Sequence, residues 1–161
     1  MALKVYLAFP ISTTGEATES DKVAQRIEDL GFDVYAAIRN KSINDKEASD
    51  PTPMDIYKAD TDEIKDCDIL VANLTGGKAD GTVGEVLYAS GLNEGGDNYS
   101  DKIIIGYTSN LRALNPQFHK GIPSASLNHL IVGGNEVHGK FVGNEDNMIE
   151  HLKEVKRILE S

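Results

Sequence analysis

The stretch Asp68-Ile69-Leu70-Val71-Ala72-Asn73-Leu74 constrains this chain more than any other. A run this apolar, with no alternation, offers no face to water, so it fits a strand covered on both sides, as in parallel sheets flanked by helices. It belongs at the centre of a sheet. Lys4-Val5-Tyr6-Leu7-Ala8-Phe9, closed by Pro10, reads as a first strand. Beyond a polar turn, Ala17, Ala24, Ile27 and Leu30 fall near helical spacing, and Gly31 stands where a left-handed C-terminal cap is expected. Phe32 to Ile38 then reads as a second strand. Strand, helix, strand in so short a space is a parallel crossover unit.

Arg39 to Pro51 carries Asn, Asp, Lys and Ser with almost no apolar residues and reads as a long surface loop. Thr52-Pro53-Met54-Asp55 has the marks of a helix start: Thr52 as N-cap, Pro53 at the first position and Asp55 as the reciprocal carboxylate. That helix runs to about Asp66, with Tyr57, Ile64 and Cys67 on its inward stripe and Asp60 on the same stripe. Thr75 to Gly81 is a Gly-rich loop, and Thr82 to Leu92 is a helix ended by Gly95-Gly96-Asp97-Asn98. Lys102 to Tyr107 reads as a fourth strand, and Leu127 to Val132, closed by Gly133-Gly134, as a fifth. Met148, Ile149, Leu152, Val155, Ile158 and Leu159 make the tail from Asn144 an amphipathic closing helix. The expectation is an α/β, doubly wound sheet of about five parallel strands with helices on both faces, with ligands held outside the C-terminal strand ends. There Phe9 and the loop at Asp80 meet.

A chain of 161 residues is most simply one domain, 1–161. Its 16 basic and 26 acidic residues give a net charge of −10, which repels phosphate backbones and anionic membranes. Neither nucleic acid nor membrane is an expected partner; a neutral or weakly charged small molecule is. Cys67 is the single cysteine, so no intramolecular disulfide is expected. With no N-terminal signal and no apolar run near the roughly 20 residues that span a bilayer, the expected location is cytoplasmic.

The loop Asp80-Gly81-Thr82-Val83-Gly84-Glu85 gathers the residues best suited to chemistry. Glu85, in the first turn of the helix as read from Thr82, would be kept ionised by the helix dipole and serve as a nucleophile. Thr82-x-x-Glu85 equally matches a capping box. Gly84 weakens a helix start, and such a glycine marks close approach of a ligand to the backbone. Asp80 before Gly81 suits a turn, yet two carboxylates of different pKa are what glycosyl transfer requires. Asp60 reads either as a buried acid paired to Lys or backbone donors or as a member of the site. Tyr6 reads as core, or as a strand-end ring whose hydroxyl reaches the site. His119, His129, His138 and His151 lack metal-ligand spacing, so no metal is expected. Gly76-Gly77-Lys78 lacks the spacing of a phosphate loop, and no Gly-x-Ser-x-Gly elbow is present.

Val5-Tyr6-Leu7-Ala8, Asp60-Thr61-Asp62-Glu63-Ile64-Lys65-Asp66-Cys67-Asp68, Ala72-Asn73-Leu74 and Asp80-Gly81-Thr82-Val83-Gly84-Glu85-Val86 together resemble the nucleoside 2-deoxyribosyltransferase family over most of the chain. The resemblance implies a flavodoxin-like sheet and attack by Glu85 on the anomeric carbon of a 2'-deoxynucleoside, leaving a covalent deoxyribosyl-enzyme that a second nucleobase resolves. It implies that Asp80 exchanges the nucleobase proton, that Asp60 lines the base side, and that the Tyr6 hydroxyl holds the nucleophile. Phe9, Gly81 and Gly84 would contact substrate. Leu127-Asn128-His129-Leu130 resembles the family's Asn-Leu-Met stretch and makes Asn128 a ligand for the 5'-hydroxyl in a neighbouring subunit, so a homo-oligomer with shared sites follows. No metal or organic cofactor is required by that chemistry. Two alternatives stand beside it. One is an N-glycosidase acting on nucleoside 5'-monophosphates through the same Glu85, with phosphate held by Ser12, Thr13 or Lys78. The other is a non-catalytic nucleoside or nucleotide-derivative binding protein on the same fold.

Overall fold

The computed structural model describes residues 2–44, 50–75, 79–96, 101–111, 118–123 and 127–161. Five parallel strands form one sheet: β1 (Lys4–Ala8), β2 (Asp33–Ala36), β3 (Ile69–Asn73), β4 (Ile103–Tyr107) and, after a small antiparallel pair β5 (Phe118–His119) and β6 (Ile122–Pro123), β7 (Gly139–Phe141). The spatial order is β2-β1-β3-β4-β7. This is the flavodoxin-like doubly wound order, whose direction reverses between β1 and β3. Every residue of β3 is buried, as its uninterrupted apolar run requires.

Helices α1 (Thr14–Glu28) and α6 (Glu145–Leu159) cover one face. There Val23, Ala24, Ile27, Met148, Leu152 and Val155 pack on Val5, Leu7, Val71 and Ile105. Helices α3 (Pro53–Asp66), α4 (Asp80–Gly95) and α5 (His129–His138) cover the other. There Ile64, Val86, Ala89 and Ile131 pack on Tyr6, Ala8, Leu70 and Ile104. A short 3-10 turn (Ala37–Arg39) and α2 (Lys41–Asn44) follow β2. The expected start of α3 is present in full: the Thr52 hydroxyl accepts from Asp55 N–H at 3.2 Å and the Asp55 carboxylate accepts from Thr52 N–H at 2.9 Å. The far end of α3 is tied down by Lys102, fully buried, whose Nζ donates to the carbonyls of Lys65 and Cys67 at 2.8 Å each. Gly31 takes the expected left-handed conformation, with φ of 84°.

Several sequence expectations shift. Leu127 to Val132 is not a strand: the Asn128 side chain accepts from Leu130 N–H and opens α5, which buries Ile131, Val132 and Asn135. An apolar run this short fits either period, and a polar cap decides for the helix. The fifth strand is β7 instead. The second strand stops at Ala36 rather than Ile38. Helix α4 opens at Asp80 rather than Thr82, so Thr82 lies inside it, buried, and no capping box joins it to Glu85. Tyr57 is 65% exposed rather than inward. Gly76, Gly77, Lys78, Asp97 and Asn98 lie outside the described residues.

Candidate active site

The site forms where β1 and β2 lie beneath α3 and α4. Strand β1 sends alternate residues to opposite faces, which puts Tyr6 under α4 and its neighbours Val5 and Leu7 under α1 and α6. Tyr6 is fully buried, and its hydroxyl donates to Glu85 Oε1 at 2.7 Å. The parallel register pairs Tyr6 with Tyr35 of β2. The two rings stack with centroids 5.2 Å apart and planes 25° from parallel. The Tyr35 hydroxyl donates to Asp60 Oδ1 at 3.1 Å and accepts from Asn40 Nδ2 at 3.1 Å. One stacked pair of tyrosines therefore holds both carboxylates, Tyr6 on Glu85 and Tyr35 on Asp60, with Tyr6 also favouring the Asp60 charge.

Above these groups, between the two helices, lies a cleft of about 260 Å³. Tyr57, Asp60, Thr61 and Ile64 line it from α3, and Gly81, Gly84, Glu85 and Tyr88 from α4. The glycines matter to its shape: a Cβ placed on Gly81 or Gly84 would meet no atom within 4 Å and would project into open space. A ligand can lie directly on the helix backbone there.

The electrostatics differ from the sequence expectation. Glu85 is half-buried at the edge of the cleft, and this burial pushes its pKa up to about 8; the Tyr6 hydrogen bond opposes the rise and the charge of Asp60 adds to it. Glu85 is therefore not held ionised by a helix terminus. It lies in the second turn of α4, past the free N–H groups of the first. Burial also raises Asp60 above the ordinary carboxylate range, with Tyr35 and then Tyr6 pulling it down and Glu63 pushing it up. The Tyr35 hydroxyl is itself pushed up to about 12, chiefly by burial, and stays a donor at neutral pH. Two coupled carboxyl groups with raised proton affinity share this site.

Of the residues singled out from sequence, Tyr6, Asp60, Gly81, Gly84 and Glu85 converge here. Asp80 does not: it is exposed at the start of α4, does not line the cleft, and accepts from Gly81 N–H at 3.1 Å. Phe9 packs with α1 and α6 on the opposite face of the sheet. Asn128 is exposed at the head of α5. Sequence reasoning missed Tyr35, Asn40, Thr61 and Tyr88. A signal for the first was present, since Val5-Tyr6 and Val34-Tyr35 repeat one dipeptide in consecutive strands that pair in parallel. Among the described residues no group of three or more His, Cys, Asp or Glu is placed to hold a metal ion, and no helix is long and apolar enough to cross a membrane.

Residues 5–154 match the family model for Nucleoside 2-deoxyribosyltransferase. The chain belongs to this family. Membership places it with enzymes of glycosyl transfer on nucleosides. Solved structures share the family's fold. A conserved protein from Enterococcus faecalis V583 is 22% identical, with a TM-score of 0.76 over 96% of this chain and 99% of that one. A 2-deoxyribosyltransferase from Bacillus psychrosaccharolyticus is 18% identical, with a TM-score of 0.65 over 91% and 90%. A CMP N-glycosidase from Clostridium botulinum is 20% identical, with a TM-score of 0.56 over 92% and 97%. Comparison with curated proteins found no match.

Proposed function

We propose that this family member exchanges the nucleobase of 2'-deoxynucleosides through a covalent deoxyribosyl-enzyme on Glu85. The observation that carries this reading is the 2.7 Å hydrogen bond from Tyr6 to Glu85 Oε1 beside the cleft that Asp60 also lines. A nucleophilic carboxylate needs one oxygen held and the other aimed at the anomeric carbon, and a second carboxyl group to carry the proton of the base. The reaction balances within this pair. A proton leaves Glu85 for Asp60; a Glu85 oxygen bonds to the anomeric carbon as the carbon–nitrogen bond breaks; the bond's electron pair stays on the nucleobase, which takes the proton from Asp60. An incoming base reverses the sequence. We assign the proton carrier to Asp60 rather than Asp80, because Asp60 lines the cleft and Asp80 does not.

The cleft's lining favours an uncharged substrate over a nucleotide. It contains two carboxyl groups and, among the described residues, no Lys or Arg. Of the groups a 5'-phosphate would call on, Thr13 is engaged as N-cap of α1, its hydroxyl accepting from Glu16 N–H at 3.2 Å and the Glu16 carboxylate accepting from Thr13 N–H at 2.8 Å. A carboxylate already occupies that helix end. Lys78 lies outside the described residues. Asn128, exposed at the head of α5, is our candidate for completing the site of a neighbouring copy in a homo-oligomer.

The test is to incubate the protein with deoxyinosine or thymidine plus free adenine or cytosine and to separate the products. New deoxynucleoside is expected. Free base released from deoxynucleoside monophosphates alone would establish the hydrolase instead, and no product from either would leave a binding protein. Asp60→Asn is expected to lower the exchange rate by on the order of 100-fold or more, and Asp80→Asn far less. A larger loss in Asp80→Asn would return the proton to Asp80.

A further inference from the structure

Asp60 is held by more than its place on α3. Ser42 donates to Asn40 Oδ1 from both its backbone N–H, at 3.2 Å, and its hydroxyl, at 2.6 Å. That contact fixes which way the Asn40 amide faces, because only its oxygen can accept. Its Nδ2 must then point at the Tyr35 hydroxyl, which it reaches at 3.1 Å. With its oxygen accepting from Asn40, the Tyr35 hydroxyl sends its own proton to Asp60 Oδ1, at 3.1 Å. The direction of every bond in this chain follows from its first member. The stack on Tyr6 fixes the ring that carries the donor.

We propose that Tyr35, oriented by Asn40, is a positioning residue that makes Asp60 the ionised member of the Asp60–Glu85 pair, so that the pair's single proton rests on Glu85 until a nucleobase enters. This deepens the proposed exchange reaction and rests on that reading for its catalytic meaning. Among the described residues four groups face Asp60: Tyr6 from β1, Tyr35 from β2, Glu63 from its own helix and Glu85 from α4. Glu63 and Glu85 are acids whose charge would oppose ionisation of Asp60, and of these four groups the two tyrosine hydroxyls favour it. Tyr6 already serves Glu85. Tyr35 is the donor given to Asp60 alone, and a donor to a charged acceptor is worth more than one between neutral groups. Asp60 is thereby held with Oδ1 fixed.

Tyr35→Phe tests this, because it keeps the ring on Tyr6 and removes only the hydroxyl. Carboxyl-carbon NMR titration of protein labelled at aspartate, with Asp60→Asn to assign the signal, reads the ionisation of Asp60 without substrate. Tyr35→Phe is expected to raise the Asp60 titration midpoint by about one unit, and Asn40→Ala to move it the same way by less. The acidic limb of the exchange pH profile should move up with it. Midpoints in both variants that coincide with wild type, while thermal unfolding shows the fold retained, would overturn the proposal. If Tyr35→Phe does not fold, Asn40→Ala alone decides by the same midpoint. Since the titration needs no turnover, absence of base exchange would count against the proposed reaction and leave the test of Tyr35 standing.

Discussion

Gly84 separates a capped helix start from a ligand-bearing surface. An alanine there meets no neighbour within 4 Å, so the folded protein should gain the usual helix preference of alanine over glycine, about 0.5–1 kcal/mol. The added methyl would stand in the cleft beside Glu85. We expect Gly84→Ala to raise the urea midpoint and to lower kcat/KM for base exchange by on the order of 10-fold to 100-fold. An undiminished rate would remove this helix surface from the site. Glu85 itself shows what one residue's neighbours on the chain can and cannot say. The local sequence leaves Glu85 between a helix cap and a site residue, and the family resemblance singles it out; neither shows the burial that raises its proton affinity. The helix opens two residues earlier than Thr82, which puts Glu85 beyond the first turn, and burial raises its proton affinity.

Elements with strong local chemistry were legible. The Thr52, Pro53, Asp55 start of α3 and the continuous run of β3 were each set by residues within one turn or one strand. Leu127 to Val132 is ambiguous in sequence because Leu130-Ile131-Val132 satisfies both periods, and the deciding contacts are the Asn128 cap and others beyond the segment. One of them is Asn135, fully buried, whose Nδ2 donates to the Ile104 carbonyl of β4 at 2.6 Å. That contact brings α5 so close to β4 that a Cβ on Gly106 would lie 2.1 Å from Asn135 Oδ1. Gly106 breaks the apolar run of β4 for this reason. Gly106→Ala should destabilise the protein by about 1–3 kcal/mol, as overpacking does, and Asn135→Ala in the same chain should return part of that loss. Denaturant unfolding of the single and double variants measures both. Additive losses would show that the two residues do not press on each other.

Across the whole molecule, the site joins residues from four elements, β1, β2, α3 and α4, and its tyrosine stack depends on strand register. The repeated Val-Tyr dipeptide of β1 and β2 hints at that pairing, but only the parallel register brings Tyr35 to the site. The fold also carries a stability cost at the site. The pKa of Glu85 rises from an ordinary 4.5 to about 8 on folding, so its contribution is fully present below about 4.5 and is lost as pH rises through about 8. Glu85→Gln, which cannot ionise, should therefore melt close to wild type near pH 5 and above it near pH 9. A melting difference that is constant across this range would contradict a raised proton affinity at Glu85. Base exchange at this site requires that Glu85 carry the sugar between bases. Protein mixed with a 2'-deoxynucleoside, without acceptor base, quenched in acid and analysed by peptide mass spectrometry, should bear one deoxyribosyl group on the peptide containing Glu85, and Glu85→Gln should bear none. Turnover with no adduct, or an adduct on any other residue, would contradict it.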